Sequence, residues 1–282
     1  MVTYISLDDF LDSYEQVKGY TEKTAYHAYQ ALRKGAYPTL VSFCDYWSIP
    51  KSTASSWKNN YYTPISVQHS NSLEEKDLLP LTDSSTNLDL FKELYLYCLF
   101  SGSVTKHSTN CSVFYLSESK KNLIFAGKAL KQLGLDYNVY SNKNGYKLIP
   151  ISSGDRLIYA LSQLLIASGF ITSKKTVNEL FIPKFVDSKS LAFYLFNLKG
   201  CLVDLTLRVG NNTNVNEKTS RDNLNLLLDK LSSLKFNFKG YGPYLREDNL
   251  WETNIRIEKG ELSSFKQFLQ NYKPKLLPNK FK

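Results

Sequence analysis

Residues 122–141, NLIFAGKALKQLGLDYNVYS, and residues 223–242, NLNLLLDKLSSLKFNFKGYG, read as two versions of one segment at a fixed offset of 101. Leu130, Leu133, Leu135 and Tyr140 fall on Leu231, Leu234, Phe236 and Tyr241. The match extends in both directions. Upstream, an apolar helix from Leu88 to Phe100 ends in Ser101-Gly102, and another from Leu191 to Leu198 ends in Lys199-Gly200, the two glycines being 98 residues apart. Each leads into a strand-like segment. Downstream, a turn at Asn142 to Asn144 with Gly145 precedes YKLIPI, and a turn at Arg246 to Asn249 precedes WETNIRI. An amphipathic helix closes each copy, Arg156 to Ala167 and Leu262 to Tyr272. The order α-β-β-α-β-β-α therefore occurs twice, which predicts an α+β domain with pseudo-twofold symmetry rather than a solenoid.

The second copy shows how its sheet is placed. Val203, Leu205, Leu207 and Val209 alternate with Asp204, Thr206 and Arg208, and Ile255 and Ile257 alternate with Glu252, Asn254, Arg256 and Glu258. Alternation with period two predicts antiparallel strands with one buried face and one polar face. Two such sheets would form a continuous polar saddle.

Ahead of the duplication lies a helical module, residues 1–62. Ile5, Leu7, Phe10 and Leu11, then Ala25, Tyr29 and Leu32, recur at helical spacing, with Ser6 and Thr21 as N-caps. In TLVSFCDYWSIPKSTASSWKNN, residues 39–60, Val41, Phe43, Cys44 and Trp47 predict the inner side of a short helix. Ser48-Ile49-Pro50 is a tight turn, and a second short helix runs from Lys51 to Lys58, with Ile49, Ala54 and Trp57 as the buried contacts. This pair resembles a helix-turn-helix of the resolvase or transposase style, although the usual turn glycine is absent. The resemblance assigns Lys51, Ser52, Thr53, Ser55, Ser56 and Lys58 to the DNA groove; a plain helical hairpin with a polar outer side has the same string. Residues 63–87, rich in Ser, Asn, Thr and Pro and without an apolar period, predict a linker. Residues 88–182 and 183–282 are then the two repeats.

Charge divides along the same lines. Of 282 residues, 35 are Lys or Arg and 26 Asp or Glu, a net of +9. Residues 1–86 carry 7 bases and 10 acids, a net of −3, whereas residues 87–282 carry 28 and 16, a net of +12. A basic domain suits a polyanion partner, though a solvated lysine-rich surface has the same balance. The aromatic content of 14% and hydrophobic content of 43% argue against disorder. No apolar run reaches the ~20 residues of a membrane span, and Met1 to Asp12 lacks the pattern of a signal peptide. Cys44, Cys98, Cys111 and Cys201 form no CxxC pair and read as buried thiols in a reducing compartment. There is no GxxxxGK[ST], HExxH or GxSxG, and His27, His69 and His107 are isolated.

The duplicated pattern resembles the single-chain LAGLIDADG homing endonucleases over residues 88–275. The family's nine-residue motif falls on LYLYCLFSG, residues 94–102, and on AFYLFNLKG, residues 192–200. In that family each motif helix ends in a metal-binding acid before the glycine, and the sheets form a saddle over the major groove. The acid positions here are Ser101 and Lys199. A hydroxyl is a weak neutral ligand and an ammonium repels the cation, whereas hydrolysis through Mg²⁺ needs anionic oxygens. The resemblance thus implies a scaffold without cleavage, hence no catalytic residue, metal or cofactor. Bulky Phe100 and Leu198 imply a modified contact between the motif helices. An unrelated α+β duplication, or a nuclease with displaced acids, are the other readings.

The expected function is non-catalytic, sequence-specific binding of double-stranded DNA by a monomer: a regulator, replication-origin binder or chromosome organiser. Its expected location is the cytoplasm, with the nucleoid. Some bacterial sporulation regulators also join acid-less LAGLIDADG domains to a helix-turn-helix, in the opposite order. Expected base contacts are Lys143 and Lys147 in the first copy, and Arg208, Asn211, Asn212, Tyr241, Arg246, Asn254 and Arg256 in the second. Lys106, Lys218 and Lys239 are assigned to phosphates. The other function class is an intron RNA maturase, a splicing cofactor that binds structured RNA and can dispense with the acids.

Overall fold

The computed structural model describes residues 1–14, 19–107, 110–117, 119–142, 145–151, 156–170, 180–199, 207–210, 216–247 and 251–281; for 103, 105–107, 110–116, 129, 142 and 207–210 it describes the backbone. In chain order the elements are β1 (Thr3–Ile5), α1 (Leu7–Asp12), α2 (Glu22–Arg33), α3 (Leu40–Trp47), α4 (Lys51–Lys58), α5 (Ile65–Glu74), β2 (Leu81–Thr82) and α6 (Leu88–Ser101). There follow β3 (Gly102–His107), β4 (Asn110–Ser117), α7 (Lys120–Gln132), β5 (Asp136–Asn142), β6 (Gly145–Ile151) and α8 (Leu157–Ala167). The chain continues with α9 (Ser188–Lys199), β7 (Leu207–Gly210), α10 (Glu217–Ser232), β8 (Phe238–Leu245), β9 (Trp251–Ile257) and α11 (Leu262–Gln270). This is an α+β chain, and it divides into two compact units.

The first unit comprises Met1–Leu88, Lys106–Ser112 and Ser152–Ser168. Its helix starts are those the sequence marks: the Ser6 hydroxyl accepts from the Asp9 amide, and Thr21 from Thr24. Helices α2, α3 and α4 enclose one core of Ala25, Ala28, Phe43, Ile49, Ala54 and Trp57. Ser48, between α3 and α4, takes the left-handed conformation at φ 53°. In α3 the expectation for Val41 fails. Val41 is 54% exposed, and the inner stripe is Leu40, Phe43, Cys44 and Trp47. Those four have the i, i+3, i+4, i+7 spacing of one helix side, from which Val41 is turned away.

Residues 63–87 do not behave as a linker. They contain α5, which packs against α2 and α8, and β2, which pairs with β1. Ile65, Val67, Leu73, Leu78, Leu79 and Leu81 are buried there, together with Ser66, His69 and Ser70. The polar members bury with hydrogen bonds to neighbouring elements or to their own helix. The Ser66 hydroxyl donates to the Glu22 carbonyl at 3.0 Å, and that of Ser70 to Val67 at 3.1 Å. Helix α8, expected as the amphipathic close of the first repeat, is buried along nearly its whole length and groups with this unit. Gln163 of α8 donates to the Ser13 carbonyl at 2.8 Å.

The second unit comprises Asp89–Thr105, Val113–Ile151 and Gly169–Lys282. Its strands form two antiparallel sheets, ordered β3-β4-β6-β5 and β7-β9-β8. Helix α7 packs on β5 and β6, and α10 on β8 and β9. The duplicated segment folds alike in both places, a helix into a strand. A Cβ on Gly127 of α7 would lie 2.3 Å from the Tyr137 ring of β5. In the other sheet the small residue is on the strand: a Cβ on Gly240 of β8 would lie 2.6 Å from Leu228 of α10. Phe265 of α11 meets Phe196, Phe236 and Phe238 with ring centres 5.0, 5.0 and 5.3 Å away.

A buried carboxylate joins the long helices of this unit. Glu93 of α6 accepts from the Tyr194 hydroxyl of α9 at 2.6 Å, from the Lys275 and Leu276 amides at 2.6 and 3.0 Å, and from Tyr272 at 3.3 Å. Asn197 holds the same terminal segment, donating to the Pro278 carbonyl and accepting from the Lys280 amide. Burial raises the Glu93 carboxyl above its ordinary value, and the Tyr194 hydroxyl and the other donors counter this.

Candidate nucleic-acid interface

Helix α4 forms because Trp57 and Ala54 can enter the α2–α3 core while the remaining side chains stay outside. Trp57 is held edge-on by Tyr20 and Tyr29 at 6.4 and 6.1 Å. That orientation exposes Lys51, Ser52 and Lys58 and leaves Thr53, Ser55 and Ser56 half-buried. The Tyr20 phenol engages the Thr53 side chain. Sequence KSTASSWK contains no acid, and no side chain caps the N-terminus after Pro50. The end of the helix is tied down from α2, where the Arg33 guanidinium donates to Asn60 at 2.9 Å. All six residues assigned from the sequence thus share one short helix.

In the second unit the register of β7-β9-β8 decides which side chains share a face. Thr253, Ile255 and Ile257 of β9 are buried, so Glu252, Asn254 and Arg256 point the other way. Tyr241 pairs with Asn254 and Lys239 with Arg256, which puts both β8 residues on that outer face. Arg208 pairs with Asn254 in the ladder, but its side chain lies outside those described. The Arg256 guanidinium carbon sits 5.3 Å from the Tyr241 ring centre, within cation–π range. The Asn254 carbonyl oxygen is buried without a hydrogen-bond partner among the described residues. Lys239 approaches Glu258 at 3.8 Å, and Arg246 approaches Glu252 at 3.4 Å.

On the other sheet, Lys147 of β6 pairs with Tyr140 of β5. Tyr140 was not among the sequence-assigned contacts, although the 101-residue offset matches it to Tyr241. Lys218 is exposed in the first turn of α10, away from the strands. Lys106 is on β3 with its side chain outside those described, and Lys143, Asn211 and Asn212 lie outside the described residues.

Ser101 and Lys199, which the sequence resemblance aligns with acids, are the last residues of α6 and α9. Asp89 is in the first turn of α6 and is engaged by Lys92 at 2.9 Å. Among the described residues, no three His, Cys, Asp or Glu side chains cluster to hold a metal ion. No described helix is long and apolar enough to cross a membrane. In comparisons with known protein families and with curated proteins, the chain matches none.

Proposed function

We propose that this chain binds double-stranded DNA without cutting it, with α4 as the element that enters the groove. The observation that carries this reading is the packing of α2, α3 and α4 about Trp57. It turns the apolar side of α4 inward and leaves an acid-free row of Lys and Ser outside. A second helix packed on a first through a shared core is the arrangement by which helix-turn-helix proteins present a helix to the groove. Its uncapped N-terminus, with Lys51 beside it, suits a phosphate.

Support for the rest is of two kinds. The element order α6 to α8 matches one copy of the duplicated LAGLIDADG scaffold, α9 to α11 follows it with β7 as the one described strand between α9 and α10, and Ser101 and Lys199 are the positions the resemblance assigns to its acids. The basic surplus of residues 87–282, with Lys239 and Arg256 exposed on one sheet face, supplies a second polyanion contact. On this reading the protein is a regulator, origin binder or chromosome organiser acting as a monomer near the nucleoid.

Fluorescence anisotropy with duplex DNA tests it. Lys51→Ala and Lys58→Ala should each weaken binding and lower the slope of log affinity against log salt by about one unit. Unchanged affinity in both variants would overturn the role of α4. Chelator-sensitive cuts in the bound duplex with Mg²⁺ would overturn the non-cleaving reading. Preference for structured intron RNA over any duplex would replace it with the maturase reading.

A further inference from the structure

The outer face of β8 and β9 carries two exposed tyrosines, and the backbone is arranged to present both. Tyr241 and Tyr244 are three residues apart, so in a regular strand they would face opposite sides. Here the ladder pairs Tyr241 with Asn254 and Tyr244 with Glu252, leaving Gly242 and Pro243 together opposite Thr253. That irregularity adds one residue to β8 and brings the second tyrosine round to the face of the first. Gly242 makes it possible with φ at 96°. A Cβ at Gly242 would meet the Glu252 carbonyl oxygen at 2.9 Å and the Tyr244 ring at 3.0 Å. The result is two tyrosines on one face, set apart by about 7 Å of strand, two residues of rise. Tyr241 is 39% exposed and Tyr244 51%, with Arg256 against the first.

The duplication repeats the feature. At the matched positions 130 and 231, 133 and 234, 135 and 236, the side chains are buried or half-buried, as core repeats should be. The last matched pair is also aromatic in both copies but faces water. Tyr140 is 50% exposed, paired with Lys147, and its hydroxyl accepts from Asn138 at 3.0 Å. An aromatic ring recurring beside a base on an outer sheet face has no core to explain it. Flat rings next to cations are how proteins hold unpaired bases, whereas intact B-form DNA hides its base faces within the stack.

We propose that the outer face of β8 and β9 binds an unpaired DNA strand, with Tyr241 and Tyr244 stacking two bases. Lys239 and Arg256 meet the strand's phosphates. This rests on the DNA-binding reading and extends it: α4 takes duplex, and this face takes a strand that is not paired. The polyanion follows from the charge balance of this end of the sheet, where Lys239, Arg246 and Arg256 outnumber Glu252 and Glu258 and Arg256 lies against a ring rather than an acid.

The test uses the full chain, a 20-nucleotide single-stranded DNA carrying 2-aminopurine, the hairpin duplex of the same sequence, and the matching RNA. Tyr241→Leu and Tyr244→Leu, both at exposed positions, should each weaken single-strand binding by roughly 5- to 150-fold and reduce quenching of the 2-aminopurine. Tyr241→Phe and Tyr244→Phe should keep both. Gly242→Ala should reproduce the Tyr244→Leu loss, because the bulge fails while the Tyr244 side chain remains. Duplex affinity should stay within about 2-fold in the Tyr244 and Gly242 variants, which carry no duplex assignment. Equal losses on the hairpin, no loss on the single strand, or tighter binding of the RNA would overturn the proposal. Lys51→Ala and Lys58→Ala, read on the hairpin, separate this outcome from a failure of the α4 reading.

Discussion

Lowering the pH should destabilise the first unit through one side chain, His69. Its ring is 1% exposed and stacked between Tyr14 and Tyr159, with centroids 6.0 and 6.5 Å away. Nδ1 is 2.7 Å from the Tyr14 hydroxyl, and Nε2 is buried without a partner among the described residues. Burial, and then the Arg156 charge, pull its pKa down from 6.5 to about 3. The folded form therefore resists a proton that the unfolded chain accepts. Stability contributed by this group is complete above about pH 6.5 and is lost as pH falls toward 3. At pH 5 the unfolded chain gains about RT ln(1 + 10^1.5), or about 2 kcal/mol, and this holds for any folded value below about 4. The full difference, 3.5 pH units, would reach about 5 kcal/mol. His69→Phe keeps an aromatic ring of similar size and removes the titration. Urea unfolding should be followed by tryptophan fluorescence in a Trp251→Phe background, so that Trp47 and Trp57 alone report, both in this unit. From pH 7.5 to 5.0 the histidine protein should lose about 2 kcal/mol more than the phenylalanine variant. Parallel losses would refute the argument, since every other titrating group is common to both.

Three further outcomes follow from the packing. Glu93→Ala strips the acceptor from the Tyr194 hydroxyl and from the Lys275 and Leu276 amides, which should cost about 3 kcal/mol or more and open residues 273–281 to limited proteolysis. Glu93→Gln, which keeps an acceptor, should cost less. Ser48→Gly relieves a left-handed backbone and should raise the stability of the first unit by about 0.5–1 kcal/mol, read as a higher melting temperature. Gly127→Ala drives a Cβ into the Tyr137 ring and should destabilise the second unit by about 1–3 kcal/mol in denaturant titration.

What could be read from the sequence was what periodicity carries. The match of 122–141 to 223–242 announced a helix running into a strand twice, and α7–β5 and α10–β8 are those pairs. The Ile255–Ile257 alternation gave the inner face of β9. Periodicity failed where polar residues are interior. In α5 the buried Ser66, His69 and Ser70 bond to Glu22, Tyr14 and Val67, so polar residues interrupt the apolar stripe. Helix α8 is buried on nearly every side, so no polar face distinguishes the unit it belongs to. Within the candidate interface, α4 followed from its Ala and Trp spacing and from its lysines. Tyr244 did not, because its face depends on an irregularity that counting by twos cannot see. The 101-residue offset would have found Tyr140, had an outward-facing match been weighed as heavily as a buried one.

The Glu93 cluster bears on how the chain is born. Its hydroxyl donor on Tyr194 emerges from the ribosome 101 residues after the carboxylate, and its amide donors on Lys275 and Leu276 emerge 182 and 183 residues after it. Until then α6 must keep a charged group hydrated on a side destined for the interior, so the helix cannot dock early without burying a bare carboxylate. The final burial of Glu93 is thus deferred until residues 272–276 have been made. Such long-range closure slows folding, and it leaves the apolar neighbours Leu94 and Leu96 without their final packing until that segment has been made. A growing chain of this design gains from a chaperone at the exit tunnel, whereas the helical trio around Trp57 needs nothing beyond residue 60 to close its core.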